Sequence, residues 1–344
     1  MTSLQTQRLI YRAAQRLSGT TVLRGPALFE GTSYPRTWDN YVGQTKAVRL
    51  VKIAAASARA RNERLDHMLI AAGGHGIGKT AIVRLIAKEM NAGLVEVQGA
   101  IDEAQAIRIL KTMEDGDVLF WDECHQAISG GKTKAEWLLS YLQDGVIIGA
   151  AGTTVLPNVT IIGATTDVQK LPETITSRFP LRPPMDEYSN TEAMEIARRT
   201  AAGTLGKHQL ATPSDAALER IAVMSNSNPR AIGQVLRNLR DLLLAQVIPH
   251  DPNGNYDLDE VCDFMDLTPD GLDDLAKRYL LSLATSFEGK PAGEKAIAAV
   301  LGETTTPRHT EKLLLNKGFI ALTPQGRTLT LAGQERVEAL TEAV

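Results

Sequence analysis

Two short segments carry the plainest chemistry in this sequence: Gly73-Gly74-His75-Gly76-Ile77-Gly78-Lys79-Thr80, and Asp122-Glu123 at the end of the apolar run Val118-Leu119-Phe120-Trp121. Glycines at Gly73, Gly76 and Gly78 let successive backbone N–H groups turn toward a polyphosphate. The Lys79 ammonium is placed for the β and γ phosphates and the Thr80 hydroxyl for Mg²⁺. An apolar run that ends in two carboxylates reads as a buried strand whose tip offers Asp122 to the metal shell and Glu123 to an attacking water. The chemistry implied is hydrolysis of a nucleoside triphosphate, with ATP and Mg²⁺ bound.

Such residues need a strand on one side of the glycines and a helix on the other. Residues 65–72 are apolar and strand-like, and residues 81–90 have helical spacing at Ile82, Leu85, Ile86 and Met90. The start of that helix adds partial positive charge beneath the phosphates. Downstream the pattern alternates: a strand over 94–97, a helix over 101–113, the acidic strand, a helix over 135–142, a hairpin over 146–156 and a buried strand over 159–164. This alternation predicts an α/β fold with a parallel sheet, helices on its faces and the nucleotide at the carboxyl ends of its strands.

After Pro180, Pro183 and Pro184 the pattern becomes helical, over 191–202, 216–225 and 230–247, and the stretch 250–255 is rich in turn formers. A terminal unit from about residue 268 shows three helical patterns, over 272–287, 293–301 and 307–316, and then two β-rich runs around Pro324-Gln325-Gly326. That order is the winged helix, which binds DNA in many proteins and docks protein in others.

Composition sets limits. At 344 residues the chain holds more than one core, and 43% hydrophobic with 22% charged residues is ordinary for globular proteins. A net charge of −3 excludes a broadly basic surface, so contact with nucleic acid must be local. Two cysteines, Cys124 and Cys262, give neither a disulfide framework nor a zinc spacing. The first twenty residues lack the unbroken apolar core of a signal peptide and no run reaches membrane-spanning length, so the expected location is cytoplasmic.

Several further segments make the reading specific. Tyr34-Pro35-Arg36-Thr37-Trp38-Asp39-Asn40-Tyr41-Val42-Gly43-Gln44, Leu65-Asp66-His67, Asp122-Glu123-Cys124-His125, Ile162-Gly163-Ala164-Thr165-Thr166, Ser177-Arg178-Phe179, Asn228-Pro229-Arg230 and the Gly318 to Arg327 wing stand in order at compatible spacing. Together they resemble the RuvB family, the AAA+ motors of Holliday-junction branch migration. The resemblance implies an AAA+ P-loop core over 33–186, a helical lid subdomain over 187–267 and a winged-helix DNA-binding domain over 268–344, with 1–32 as an extension outside it.

The resemblance also implies roles. Lys79 and Thr80 would hold phosphates and Mg²⁺, Asp122 the metal shell, and Glu123 the water. Thr165 would be the sensor that positions that water, with Thr166 second. Arg230 would be the sensor of the γ phosphate, Tyr188 would lie near the nucleotide, and Tyr41 and Val42 would border the adenine. Arg178 would reach a neighbour's nucleotide as an arginine finger, which implies a ring, a homohexamer in this family. Arg327 of the wing, with Arg308 and Lys312, would contact DNA phosphates with little sequence preference.

The sequence departs from the family's pattern at particular places. Gly74-His75 replaces Pro-Pro in the phosphate loop, Tyr34 replaces an arginine, Thr176 stands where a further arginine is common, and Leu322 and Gln325 replace basic wing residues. The 146–156 hairpin is shorter than the family's, and there the family engages its partner RuvA, which counts against docking of a RuvA-like protein. The expected activity is an ATPase that drives DNA branch migration in recombination and repair. The alternative from another class is an AAA+ loader whose ATP state controls assembly of replication or transposition proteins.

Overall fold

The computed structural model describes residues 21–30, 34–72, 74–128, 136–149, 152–305 and 308–342. Among these residues the chain forms two compact units, one of residues up to Ile196 together with Asn228–Arg230, the other of Ala197–Ser227 and Ala231 onward.

The first unit is built on a five-stranded sheet: β1 (Thr21–Leu23), β2 (Met68–Ala71), β3 (Leu94–Gln98), β4 (Val118–Asp122) and β7 (Thr160–Thr165), in the order β1-β3-β4-β7-β2. β1 runs antiparallel to β3 and the other pairs are parallel. The apolar runs show no alternation because both faces are covered. Within β4, Leu119 and Trp121 enter one core while Val118 and Phe120 enter the other, and Ile161 and Ile162 of β7 divide the same way. The pairings Ala71↔Thr165 and Gln98↔Asp122 bring the carboxyl ends of four strands to one edge.

That edge receives the functional segments. α1 (Thr45–Ala60) and α2 (Lys79–Glu89) contribute to the second core, and the phosphate loop lies between β2 and α2. α3 (Glu103–Leu110) opens with a capping box, in which Asp102 accepts from Gln105 N at 2.7 Å and Gln105 accepts from Asp102 N at 3.0 Å. At the opposite edge His67 leads into β2, and burial with Arg64 beside it pushes its pKa down to about 3. The neutral ring accepts the Ile161 N–H at 3.0 Å and so joins β2 to β7. The hairpin pairs β5 (Val146–Gly149) with β6 (Gly152–Val155) as expected.

Among the elements of this unit that the sequence did not announce, two shape the core. α1 buries Ala47, Val51, Ala55 and Ala58, and this face of small side chains gives a weak apolar signal. β1 lies within the 1–32 extension: it lengthens the sheet past β3, and the following residues dock Leu28 and Phe29 into the core. Arg84 donates to Leu28 O at 2.7 Å, and Arg24 pairs with Asp117 at 2.6 Å. These residues thus cover an otherwise open sheet edge.

The second unit contains helices over Asp215–Met224, Asp259–Met265, Asp274–Thr285, Glu294–Leu301 and Arg308–Asn316, the strands β8 (Ile320–Thr323) and β9 (Gly326–Leu329), and a last helix over Leu331–Glu342. β8 and β9 pair antiparallel, and Ala292 bridges to Arg327 as a third edge, which completes the winged-helix order. The second β run ends at Leu329, and the helices over Asp259–Met265 and Leu331–Glu342 are further additions. No described helix is long and apolar enough to cross a membrane.

Leu28 is 2% exposed, so Leu28→Ala removes a core side chain outside every recognised motif. The expected loss is about 2–5 kcal/mol in urea unfolding. A loss below about 1 kcal/mol would mean that residues 21–30 are not part of the core.

Candidate functional site

The phosphate loop is held by side chains on its carbonyls. Lys79 Nζ donates to Gly74 O at 3.3 Å, Asn228 Nδ2 to His75 O at 2.7 Å, Tyr188 Oη to Ile77 O at 3.2 Å and Tyr41 Oη to Gly78 O at 3.4 Å. The two tyrosine hydroxyls lie 3.4 Å apart, and burial raises both phenol pKa values, so both stay neutral donors. Gln44 holds the Tyr41 segment to the Tyr188 segment by donating to Asp186 O at 2.6 Å and accepting from Asp186 N at 3.0 Å. Gly73 lies outside the described residues. Gly76 and Gly78 both have positive φ, +78° and +96°, and Gly78 is the residue from which α2 starts.

Lys79 is 7% exposed, and burial lowers its pKa against the support of Glu123 and Asp122. An ammonium shielded from water beside two carboxylates and a carbonyl is poised for a stronger anionic partner. Thr80 follows it on α2. Val42 lies beside Tyr41, half-buried.

Asp122 ends β4, and its Oδ1 accepts from Glu123 N at 3.1 Å. Glu123 then leaves the strand at φ +50°, a left-handed conformation that costs on the order of 1–3 kcal/mol for such a residue. The turn puts its carboxylate inside, 6% exposed. Oε2 accepts from Thr166 Oγ1 at 3.0 Å and from Thr166 N at 3.3 Å, with His125 Nδ1 at 3.2 Å. Oε1 is buried without a hydrogen-bond partner, and its nearest cation candidate is His75 Nδ1 at 3.6 Å, on an exposed imidazole.

The two candidate sensor threonines make different contacts. Thr165 does not reach Glu123: its hydroxyl accepts from Asp167 N at 3.0 Å and meets His125 Nδ1 at 2.9 Å. It is the last residue of β7 and wholly buried, whereas Thr166, just past the strand, turns onto the carboxylate. His125, given no role in the sequence reading, is a buried link between Thr165 and Glu123. The signals available for it were its proximity to the acidic pair and its place in the Asp122-Glu123-Cys124-His125 segment.

The remaining residues are distributed differently. Arg230 belongs to the first unit and influences Lys79 electrostatically. Arg178 lies outside this cluster and donates to Thr174 O at 2.5 Å and Gln143 Oε1 at 2.9 Å, leaving Nε buried without a partner. In the second unit Arg308 and Lys312 are exposed one turn apart on the helix Arg308–Asn316. Arg327, the expected wing contact to DNA, is engaged within its own domain, where Nε and Nη2 donate to both oxygens of Glu311 at 3.0 Å. Glu294 lies 3.5 Å away, and Tyr279 donates to Glu311 as well. This guanidinium is committed inside its own domain.

The residues suit a Mg²⁺-bound nucleoside triphosphate. A buried ammonium resting on a carbonyl and a carboxylate oxygen without a donor both gain a partner when a polyphosphate and its water enter. Among the described residues no group of three or more His, Cys, Asp or Glu could hold a metal ion by itself. An ion bound through Thr80 and Asp122 would therefore rely on phosphate oxygens and water for its other ligands.

Comparison with known proteins agrees over both units. The family model for the Holliday junction DNA helicase RuvB P-loop domain matches residues 34–185, and that for the RuvB C-terminal winged helix domain matches residues 269–338. The Holliday junction branch migration complex subunit RuvB of Kosmotoga olearia is 33% identical over 314 residues, covering 87% of this chain and 88% of that protein. Its counterpart in Lacticaseibacillus casei is 31% identical over 329 residues, covering 92% and 94%. The solved structure of Thermotoga maritima RuvB, a Holliday junction branch migration motor, matches with a TM-score of 0.74 at 28% identity, covering 89% of this chain and 98% of that one.

A Cβ on Gly78 would lie 2.5 Å from Tyr41 Oη and 3.0 Å from Tyr188 Oη, at a φ that resists any side chain. Gly78→Ala is expected to weaken binding of a fluorescent ATP analogue by about tenfold or more. Unchanged affinity would contradict the loop geometry.

Proposed function

The chain belongs to the RuvB family, and from that premise we propose that it is an ATPase motor that drives branch migration of Holliday junctions. The observation that supports this reading most is the association, in one chain, of a P-loop unit carrying a poised Glu123 with a RuvB-type winged helix. The likeness over most of the chain favours the motor over a loader of replication or transposition proteins.

The roles follow from the groups present. Backbone N–H groups around Gly73, Gly76 and Gly78 cradle the phosphates, Lys79 transfers from the Gly74 carbonyl to phosphate oxygens, and Tyr41, Val42 and Tyr188 border the base. Thr80 and Asp122 would hold Mg²⁺, which when bound would neutralise phosphate charge. Glu123 Oε1 accepts a hydrogen bond from the attacking water while Thr166 and His125 fix Oε2, and Thr165 acts through His125. Arg230 answers to the γ phosphate from the first turn of Pro229–Leu244.

Arg178 completes the site from a neighbouring subunit of a hexameric ring, leaving its contacts with Thr174 and Gln143 to do so. Such a guanidinium contributes on the order of 10³–10⁵ in rate. DNA phosphates are met by Arg308 and Lys312, while Arg327 stiffens the wing through Glu311. The proposed organisation is core 33–186, lid 187–267 and winged helix 268–344, acting in the cytoplasm.

Glu123→Gln keeps the hydrogen bonds to Thr166 possible but replaces the anion that polarises the water. ATP binding is expected to persist while DNA-dependent turnover and branch migration on a synthetic four-way junction fall by about 10²–10⁴. Assays with and without a RuvA-type protein decide partner dependence. Normal turnover in the variant would overturn the site assignment.

A further inference from the structure

Near its start the phosphate loop carries Gly74-His75, a pair without the ring restraint of proline, so free-chain entropy would be large at the point where backbone must be fixed for phosphate. The structure compensates from another segment. Asn228 Nδ2 donates to His75 O at 2.7 Å, while Asn228 Oδ1 accepts from Arg230 N at 2.9 Å. One side-chain amide thus spans the loop and the first turn of Pro229–Leu244, with its donor on the loop and its acceptor capping the helix. The fit is close, because a Cβ on Gly76 would run into Asn228 Oδ1 and would lie 2.8 Å from Arg230 Cβ.

We propose that Asn228 is a positioning residue for nucleotide binding: its amide latches the His75 carbonyl and preorganises the phosphate loop that Gly74-His75 would otherwise leave loose. The inference rests on the reading of this loop as the nucleotide site. It assigns to Asn228 a role separate from that of Arg230, and it explains how a loop without the two prolines is ordered before ligand arrives. Lys79 braces the adjacent Gly74 carbonyl but must release it to reach phosphate, so it cannot order the loop once ATP is bound. Asn228 can keep its contact throughout. The same amide makes loop order depend on the start of the helix that carries the chain from the first unit into the second.

The donor and acceptor functions separate by substitution. Asn228→Asp keeps an acceptor for Arg230 N but presents a carboxylate to the His75 carbonyl, whereas Asn228→Ala loses both bonds. Full-length wild type, Asn228→Asp, Asn228→Ala and Lys79→Ala are compared for binding of a fluorescent ATP analogue, for KM and kcat of ATP hydrolysis, and for thermal unfolding. The latch predicts that Asn228→Asp and Asn228→Ala both raise the dissociation constant and KM by roughly fivefold, the size of one neutral hydrogen bond, with a smaller change in kcat. It also predicts that Asn228→Asp retains the unfolding temperature of the wild type. Asn228→Asp that binds as tightly as wild type would reduce Asn228 to a helix cap and overturn the latch, as would a loss confined to kcat. Wild type that binds no nucleotide, or Lys79→Ala that binds as wild type does, would overturn the site reading itself.

Discussion

Glu123 carries a carboxylate inside the protein, on a residue twisted to positive φ, with one oxygen saturated by Thr166 and His125 and the other bare. A buried polar atom without a partner costs about 1–3 kcal/mol or more when charged. The surrounding architecture tolerates that cost and keeps it in place. β4 delivers the acidic pair to the sheet edge, Asp122 caps the turn, and Lys79 stands near enough to support both charges. The free oxygen and the shielded ammonium are two halves of one requirement, a polyanion with an ordered water between them.

The sheet and the loop meet this requirement by different means. Parallel pairing with both faces buried fixes where Ala71, Asp122 and Thr165 end, so the positions of these groups follow from core packing. The phosphate loop has only a small apolar anchor, Ile77 packed with Ala72 and Tyr188. It is further ordered by donors reaching its carbonyls, from Tyr41, Tyr188 and Asn228 far away in sequence and from Lys79 within the loop itself. Donors on carbonyls leave the loop's N–H groups for phosphate, which connects the packing of distant segments to ligand affinity.

How much of this was legible in sequence depended on the range of the interaction. The glycine loop with Lys79, and Asp122-Glu123 after an apolar run, are local patterns, and so is the strand–helix alternation that positions them. Thr165 and Thr166 are neighbours whose directions are decided by the residue at which β7 ends, so their different contacts with Glu123 and Asp167 could not be read from sequence. Arg327 reads as a wing cation, but Glu311 lies sixteen residues earlier on another element, a pairing that only the packed domain reveals. The small-residue face of Thr45–Ala60 and the three-residue strand Thr21–Leu23 carry too little apolar period to stand out.

The central claim is that this active site is completed by Arg178 of a neighbouring subunit. The most direct measurement mixes two variants, Arg178→Ala and Lys79→Ala, each inactive alone, and follows ATP hydrolysis in the presence of junction DNA. A mixed ring pairs the intact pocket of the first with the intact Arg178 of the second, so turnover should return on mixing and peak near equal proportions. Hydrolysis that remains absent at every ratio in rings shown to contain both chains, or full turnover by Arg178→Ala alone, would contradict the account.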